Sequence, residues 1–342
     1  MIDNQYTVCV RCITFNHAPY IINTMDGFTM QKTKFPFVCT IVDDASTDGE
    51  QEVIEKYLEE NFDLGASSVA RREETDDYRL LFACHRENKN CFFAVLFLKY
   101  NHYRIRKNKM PYTVEWEERS KYYAFCEGDD FWVHPKKLQM QVDFMDNNPD
   151  YVLCHTDFSL SNGGYRNHNM YISSDDNYFP YSIHHELKIG TLTVLVRNEV
   201  LRKLPRLNVG KGWPMSDTPM WIELSHEGKI KYLPTDTARY RILTDSASHG
   251  SVDKELRFIE AAREIHQFYA DYYGIDYENE GFSKGYFISI MKSAYKHHCP
   301  DIAKKYFKVA KKKQMLSPKL EFFYFATCYK PIRALLSIFY KM

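Results

Sequence analysis

The first half of the chain alternates apolar runs of strand length with apolar positions at helical spacing. Residues 6–13 and 37–42 are nearly continuous apolar runs, the pattern of strands that are buried on both faces of a sheet. A polar turn follows each run, and apolar residues then recur at every third or fourth position, as in an amphipathic helix. This order of strand, helix, strand, helix predicts a mostly parallel α/β sheet. The helical apolar positions are Ile21, Ile22, Met25 and Phe28, and then Val53, Ile54, Tyr57 and Leu58.

The same alternation continues to about residue 250. We predict an apolar helix that follows Asn90 and runs through Leu98, and a helix that begins at Pro135. Thr47 and Glu50 have the spacing of a capping box at the start of the second helix. Residues 101–119 form a charged, aromatic-rich insertion without a clear period. Further strands are predicted over residues 80–84, 122–126, 151–155 and 191–196.

Helical patterns alone fill the last quarter of the chain. We predict helices over residues 253–273, 282–297, 301–313 and 319–340. The chain therefore divides into a sheet-containing domain over residues 1–250 and a C-terminal helical region over residues 251–342.

Composition places the chain among ordinary globular proteins. Hydrophobic residues make up 44% of its 342 residues and charged residues 26%, and the formal net charge is zero, which argues against a general nucleic-acid binder. The charge is uneven, because residues 302–342 hold ten Lys or Arg and one acid, Glu321. With the neighbouring aromatic residues, this segment fits peripheral contact with an anionic membrane. A helical cap with a solvated basic face fits equally well.

The nine cysteines show no regular disulfide framework, and residues 1–7 do not resemble a secretory signal. We therefore expect a reducing, cytoplasmic location, and peripheral contact with the inner face of the cell membrane stays open. No stretch reaches the roughly 18 uninterrupted apolar residues of a membrane span. Cys9 and Cys12 form a CxxC, but three residues apart on a strand they point to opposite faces, so we expect buried thiols rather than a shared metal site.

Polar clusters follow three of the predicted parallel strands, where each strand ends. The first spans residues 14–17, the second residues 43–48 and the third residues 127–130. The carboxyl ends of parallel strands meet at one edge of a sheet, which is where ligands bind in open α/β folds. So many carboxylates at one edge need a metal ion, or a ligand rich in hydrogen-bond donors, to offset their repulsion.

The motifs TFNHAPYI, TIVDDASTDG and AFCEGDDFWVHPKKLQMQVDF occur in this order and resemble the signature set of the family 2 glycosyltransferases. The similarity covers about residues 6–250, and the nearest pattern is that of enzymes that build bacterial surface polysaccharides. The resemblance implies the GT-A fold, a Rossmann-like, mostly parallel sheet flanked by helices. It also implies inverting transfer of a sugar from a nucleoside-diphosphate donor, most often a UDP-sugar, to a glycan or a lipid-linked glycan.

A departing nucleoside diphosphate carries negative charge that a divalent metal neutralises. The family's D-x-D element does this with carboxylates, the ligands that Mg²⁺ and Mn²⁺ prefer. Here the element reads Glu127, Gly128, Asp129 and Asp130. The resemblance implies that Asp129 and Asp130 bind Mn²⁺ or Mg²⁺ and that Glu127 lies near the ribose. The alternative is a solvated turn before a helix.

The resemblance also assigns residues to the donor nucleotide. Thr14 matches the family's contact from the first strand, and Asp43 and Asp44 match the acids that contact the base and the ribose. Asn16 fits either a nucleotide contact or a helix N-cap. Lys89 lies where the family has residues near the base or diphosphate, and surface charge is an equal explanation.

An inverting transfer needs a general base for the acceptor hydroxyl. Asp217 follows a turn that contains Trp213 and matches the place of the family's catalytic aspartate. Asp217 would also fit the N-cap of the next helix, a position that Ser216 can also take. Trp213 fits either sugar stacking or core packing. His249 fits a metal or diphosphate contact in the segment that closes the family's catalytic domain, or a structural role.

Two other functions share such a core. A nucleotidyltransferase usually has a Gly-rich loop with Lys or Arg after the first strand, but residues 14–17 contain neither. A catalytically silent sugar-nucleotide-binding module would have lost some of the acids, yet all are present. The sequence has no HExxH, P-loop or GxGxxG motif, which excludes zinc proteases, P-loop NTPases and the commonest dehydrogenases.

Overall fold

The structure, a computed structural model, describes residues 5–162, 165–166, 176–243, 250–277 and 280–329, the side chains of residues 165–166 and 280–283 excepted. The chain forms two compact units. The first unit comprises Met1–Tyr178, Lys188–Leu204 and Glu227–Arg241, and the second comprises Phe179–Leu187, Pro205–His226 and Ile242–Met342. A domain boundary after residue 250 stays a prediction.

Twelve strands and several helices make up the described chain. The elements up to the fourth helix are β1 (Tyr6–Thr14), α1 (Ile21–Thr29), β2 (Phe37–Asp43), α2 (Glu50–Asn61), β3 (Phe62–Asp63), β4 (Arg71–Glu74), β5 (Tyr78–His85), β6 (Cys91–Leu98), α3 (Val114–Glu118), β7 (Ser120–Phe125), β8 (Phe131–Trp132) and α4 (Lys137–Asn147). The later elements are β9 (Tyr151–Leu160), β10 (Tyr165–Arg166), α5 (Tyr181–His184), β11 (Leu195–Arg197), α6 (Asn198–Leu201), α7 (Asp217–Glu227), β12 (Lys229–Tyr240), α8 (Val252–Tyr273), α9 (Glu280–Lys296), α10 (Pro300–Lys312) and α11 (Pro318–Cys328).

A single mixed sheet organises the first unit. Its strand order is β3-β5-β6-β2-β1-β7-β11-β9-β12-β8, with β10 on β9 and β4 on β5. The central strands β6, β2, β1 and β7 are parallel, so their carboxyl ends share one edge. The sheet and its helices confirm the predicted α/β fold class.

The central strands form because they are buried on both faces. All seven residues of β2 are buried, and β1 and β6 are nearly so. Small thiols suit this crowded position: Cys9, Cys12, Cys39, Cys91 and Cys126 are buried in or directly after these strands, and Cys154 is buried in β9 of the same sheet. Burial raises the pKa of the Cys12 thiol well above its usual value. The CxxC therefore consists of two buried thiols, as predicted.

Three local predictions were wrong. The apolar run before Leu98 is the strand β6 and not a helix, because continuous burial gives no period that separates the two structures. Residues 191–196 hold a 3₁₀ turn (Thr191–Thr193) before the short strand β11. Thr47 and Glu50 do not form a capping box, since Gly49, with a φ of 90°, takes the N-cap position of α2.

The second unit is mainly helical, and α8 to α11 confirm a C-terminal helical region. One apolar cluster joins α9, α10 and α11 around Met291, Ala303 and Leu320. Another joins α5, α7 and α8 around Ile222, Ile265 and Tyr269. Within the residues described, none of the helices combines the length and the apolar character that a membrane crossing requires.

Candidate active site

The ends of β1, β2 and β7 are fastened together by their backbones. The amide of Gly128 donates to the Ile13 carbonyl at 3.0 Å, and the amide of Asp44 donates to the Thr14 carbonyl at 2.9 Å. A Cβ atom on Gly128 would lie 2.1 Å from Thr14 Oγ1, far inside van der Waals contact. Glycine is therefore required between Glu127 and Asp129, and it brings the acidic turn directly against the end of β1.

Glu50 lies beneath these strand ends, a role that the sequence did not reveal. It is the first residue of α2 and is fully buried. Its carboxylate accepts hydrogen bonds from the Thr14 hydroxyl, from the His17 amide at 2.8 Å and from the Ser46 hydroxyl at 2.8 Å. Burial is the largest influence on Glu50 and raises its pKa, although these donors oppose the shift. Glu50 thus joins the loops that follow β1 and β2.

Asn16 holds the same two loops together from outside. Its side-chain oxygen accepts from the backbone amide of Thr47 at 2.8 Å, and its backbone amide donates to Ser46 Oγ at 2.9 Å. Asn16 has a φ of 56°, a left-handed conformation that Asn tolerates better than most residues. The structure therefore places Asn16 at this edge as a loop residue and not as an N-cap of α1, which begins at Ile21.

The two carboxylate oxygens of Asp43, the last residue of β2, differ in their hydrogen bonds. Its Oδ1 accepts from the Ser46 amide at 3.1 Å and from Gln51 Nε2 at 2.5 Å. Its Oδ2 is buried and has no hydrogen-bond partner among the residues that the structure describes. Burial raises the pKa of Asp43 above its usual value. Since a buried acceptor without a donor is costly, this oxygen is suited to a ligand N–H or O–H.

Asp44, the next residue, is fully engaged. Its carboxylate accepts from the amides of His102 at 2.7 Å and Tyr103 at 3.1 Å, and from Lys109 Nζ at 2.8 Å. These three donors belong to the insertion that follows β6, which also contributes Asn101 Nδ2 to the Asp44 carbonyl. Asp44 therefore anchors the insertion, and its contact with the base or the ribose of a donor stays a prediction.

Glu127 and Asp129 occupy the acidic turn after β7. Glu127 Oε2 accepts from the Ile13 amide at 3.2 Å, and burial raises the Glu127 pKa to about 7. The Asp129 side chain is 23% exposed, and His17 Nε2 lies 4.0 Å from its Oδ2. Asp129 is thus the more open of the two carboxylates.

Asp130 is buried and is held by Arg241, which the sequence did not single out. The Arg241 amide donates to Asp130 Oδ1 at 2.8 Å, and its guanidinium donates to the Asp129 carbonyl at 2.5 Å. The same guanidinium lies 4.3 Å from the centre of the Phe131 ring and 4.9 Å from that of Tyr20. Burial, reinforced by the neighbouring Asp129, raises the pKa of Asp130 well above its usual value.

The acidic turn offers hard oxygen ligands, as Mg²⁺ and Mn²⁺ require. Across the described part of the chain, no group of three or more His, Cys, Asp or Glu residues is arranged to hold a metal. Two adjacent carboxylates still fit a metal that takes its other ligands from substrate phosphates and water. His249, predicted as a further ligand, lies outside the described residues.

Lys89 is not brought to this edge. It belongs to the turn between β5 and β6, at the amino end of β6. Because β6 runs parallel to β2, that end lies opposite the acids. The resemblance implied a place near the base or the diphosphate, with surface charge as an equal explanation. Because β5 and β6 form an antiparallel hairpin, the turn between them lies at the amino edge of the parallel strands, which favours the second explanation.

Asp217 lies in the second unit as the first residue of α7. The side chain is part-buried, and the Thr218 amide donates to its Oδ1 at 2.8 Å. Burial raises the pKa of Asp217. Trp213, four residues earlier, packs edge-on against Phe268 with ring centres 5.5 Å apart. Core packing, one of the two roles expected for Trp213, therefore covers part of its ring.

No protein-family model matches the chain. Uncharacterized proteins of Mycobacterium tuberculosis and Mycobacterium bovis are each 25% identical to it over 257 residues. The match covers 72% of this chain and 62% of the relatives, so the chain spans about three fifths of their length.

Among solved structures, the chain is similar to S. aureus TarS 1-349 in complex with UDP-GlcNAc. The TM-score is 0.52 at 16% identity, over 96% of this chain and 83% of that one. A mannosyltransferase from Pyrobaculum calidifontis, in complex with GDP-Man and Mn²⁺, gives a TM-score of 0.49 at 14% identity, over 99% of this chain and 86% of that one. The likeness to TarS shows that the chain has the GT-A fold, as its motifs predicted.

Proposed function

We propose that this chain is a glycosyltransferase that uses a nucleoside-diphosphate sugar, with a UDP-sugar as the first candidate. One observation carries the proposal. Asp43 Oδ2 is buried and has no hydrogen-bond partner within the described part of the chain, and it lies at the strand edge that also holds the acidic turn. An acceptor atom of this kind matches the N3–H of uracil or a ribose hydroxyl. The similar TarS structure contains UDP-GlcNAc, which supports the choice of donor.

The diphosphate end of the donor would lie against the acidic turn. Asp129 presents the open carboxylate, and Asp130 is held in place by Arg241. A divalent cation bound by these two acids would neutralise charge on the leaving diphosphate. Arg241 adds a fixed positive charge next to the Asp129 carbonyl, which favours an anionic ligand at this turn.

Asp217 is our candidate for the general base. Its carboxylate would accept the proton of the acceptor hydroxyl while the new bond forms from the acceptor oxygen to the anomeric carbon. The bond from that carbon to the phosphate oxygen breaks, and the nucleoside diphosphate leaves with the bonding electrons. Attack from the face opposite the leaving group inverts the anomeric centre. Burial raises the pKa of Asp217, which makes its carboxylate a stronger base than an exposed aspartate.

A donor-hydrolysis assay tests the proposal. Purified chain is incubated with UDP-, GDP- and dTDP-sugars, with Mn²⁺ or with a chelator, and the released nucleotide is quantified. We expect metal-dependent release of a nucleoside diphosphate from at least one donor. Release of pyrophosphate from a nucleoside triphosphate instead would identify a nucleotidyltransferase. Donor binding without any turnover, even with glycan acceptors added, would identify a silent module.

The second unit offers a surface for peripheral contact with an anionic membrane, where a lipid-linked acceptor for surface polysaccharide would be found. The apolar face of α10 is buried around Ala303 and Ala310. Phe322 and Phe325 on α11 are exposed, and membrane interfaces accept such aromatic residues. The exposed face of α10 and the residue after it carry Lys304, Lys305, Lys308, Lys311, Lys312 and Lys313.

Sedimentation with vesicles tests this contact. The chain should bind vesicles that contain phosphatidylglycerol and not vesicles of phosphatidylcholine alone. Changing Lys308, Lys311 and Lys312 to Gln should weaken binding about a hundredfold, because each lysine contributes about 1 kcal/mol near an anionic surface. A matched control changes three exposed lysines of the first unit, Lys32, Lys34 and Lys136, to Gln. Equal loss of binding in the control would contradict the assignment to α10.

A further inference from the structure

The loop that precedes α7, residues 205–216, is built from two tight turns. The amide of Val209 donates to the Arg206 carbonyl at 3.0 Å, and the amide of Lys211 donates to the Asn208 carbonyl at 3.1 Å. Gly210 and Gly212 have φ values of 81° and 72°, where a side chain would strain the backbone. The tip is open, with the Val209 side chain 75% exposed. We call residues 205–216 the pre-α7 loop.

Glu223 on α7 holds the start of this loop. Its side chain is 2% exposed. One carboxylate oxygen accepts from the Arg206 amide at 3.1 Å, and the other accepts from the Leu207 amide at 2.9 Å and from the Tyr269 hydroxyl of α8 at 2.5 Å. Arg206 has a φ of 51°, a conformation that a non-glycine residue keeps only when its surroundings hold it.

The end of the loop is held by packing rather than by charge. Trp213 lies edge-on against Phe268, and Lys211 Nζ lies 4.0 Å from the centre of the same ring. Met215 Sδ accepts from the Thr218 hydroxyl at 3.5 Å, on the first turn of α7. The pre-α7 loop is therefore fixed on both sides of its glycine-containing tip, and the held end leads directly into Asp217.

A buried carboxylate is a costly way to fix a loop unless donors surround it. Here two backbone amides and a phenol supply them, and charge-assisted hydrogen bonds of this kind are stronger than neutral ones. Replacing the carboxylate by an amide would turn one N–H acceptor into an N–H donor that faces a backbone amide. The loop would lose its anchor while the side-chain volume stays nearly the same.

We propose that Glu223, together with Tyr269, is a positioning residue for the pre-α7 loop and thereby for Asp217. The proposal rests on the proposed function, because it assigns this loop to the acceptor side of the transfer. The anchor then keeps Asp217 aligned with the acceptor hydroxyl that it deprotonates.

Limited trypsin digestion of the full chain tests the anchor without any assay of activity. Lys211 lies between Gly210 and Gly212 and packs on Phe268, so cleavage after Lys211, identified by fragment mass, reports how often the loop opens. Glu223→Gln and Tyr269→Phe should each raise the rate of cleavage after Lys211 at least tenfold. Wild-type rates in both variants would overturn the proposal.

Glu117→Gln is the matched control. Glu117 is also a buried glutamate that accepts from a tyrosine, Tyr123 at 2.8 Å, and from Thr113 at 2.5 Å, but it lies in the first unit. Cleavage after Lys211 should stay at the wild-type rate in this variant. Equal acceleration by Glu117→Gln would show a global loss of stability and would also overturn the proposal.

Donor hydrolysis supplies the second measurement. With the wild type active, Glu223→Gln should lower kcat at least fivefold and leave KM for the donor unchanged, because the loop does not bind the nucleotide. An unchanged kcat beside faster trypsin cleavage would overturn the link to Asp217. If the wild type itself hydrolyses no nucleotide sugar, the proposed function fails, while the digestion still reports on the anchor.

Discussion

The strand-end acids and the segment around Asp217 are fixed in different ways. At the strand ends, backbone hydrogen bonds between neighbouring strands hold the acidic turn, and Gly128 allows the closest approach. Before α7, one buried carboxylate and one aromatic contact hold a loop of twelve residues. The first arrangement is rigid because the sheet is rigid, whereas the second depends on a few side chains. A substitution should therefore act locally at the acids and through loop mobility near Asp217.

Asp129→Asn should give the largest effect. The substitution removes a charged metal ligand without changing the side-chain size, and we expect donor hydrolysis to fall by about 10³-fold or more, with metal dependence lost. The release of nucleoside diphosphate across a Mn²⁺ titration measures this change. Asp143→Asn, an exposed acid on α4, serves as the control and should match the wild type. Normal metal-dependent turnover in Asp129→Asn would show that Asp129 is not needed to bind the metal.

Asp217→Asn should lower turnover about 10²- to 10³-fold while donor affinity stays the same, because a general base contributes this much. In the wild type, burial raises the Asp217 pKa, and the base works only when deprotonated. Turnover should therefore fall as the pH drops through this raised pKa, above the value of about 3.9 for an exposed aspartate. The pH–rate profile measures this limb, which should be missing in Asp217→Asn. An identical limb in the variant would assign it to another group.

Gly128→Ala should destabilise the strand edge. The added methyl group would overlap Thr14 Oγ1, so the turn must move, and overpacking of this kind costs about 1–3 kcal/mol. Thermal unfolding should show a lower Tm, and donor binding should weaken together with it. Gly210→Ala is a useful contrast, because a Cβ there meets no atom within 4 Å and acts only through its φ of 81°. A wild-type Tm for Gly128→Ala would refute the rigidity assigned to this edge.

Asp43→Asn and Asp44→Asn should separate ligand binding from loop anchoring. Asp43→Asn should weaken donor binding about tenfold, since its free oxygen is the proposed ligand contact and each such hydrogen bond is worth about 1–2 kcal/mol. Asp44→Asn should mainly release the insertion, because its partners are His102, Tyr103 and Lys109. Isothermal titration with UDP and proteolysis of the insertion distinguish the two. Equal loss of UDP affinity would mean that both acids face the donor.

Much of the strand edge could be predicted from the sequence. Continuous apolar runs placed β1 and β2, and parallel strands bring their carboxyl ends together, so the acids had to meet at one edge. Glu50 was missed because its spacing from Thr47 matched a capping box, while Gly49 takes the cap and frees the carboxylate for other loops. The β6 strand was missed because burial on both faces erases the period that distinguishes a strand from a helix.

Long-range contacts could not be read from the sequence. Arg241 lies more than a hundred residues from Asp130, and only β12 brings it beside the acidic turn. The hydrogen bonds of Asp44 come from an insertion whose sequence has no regular period. Those of Glu223 come from the loop that leads into the helix on which Glu223 lies. In each case a single polar side chain satisfies distant backbone amides, and no local pattern encodes such pairings.

The thiols within the sheet have a consequence for the handling of this chain. The thiolate is the form that alkylating and oxidising agents attack, and burial raises the pKa of Cys9, Cys39 and Cys126 well above its usual value. These groups should therefore survive an oxidising medium unmodified. Maleimide dyes should reach the part-buried Cys84 in the first unit, and Cys299 and Cys328 in the second. Burial also raises the pKa of Cys84 and Cys328, so these two thiols should react more slowly than fully exposed ones. The native chain thus carries thiols on both units to which fluorescent dyes can be attached. The number of cysteines says little about the redox state of its surroundings.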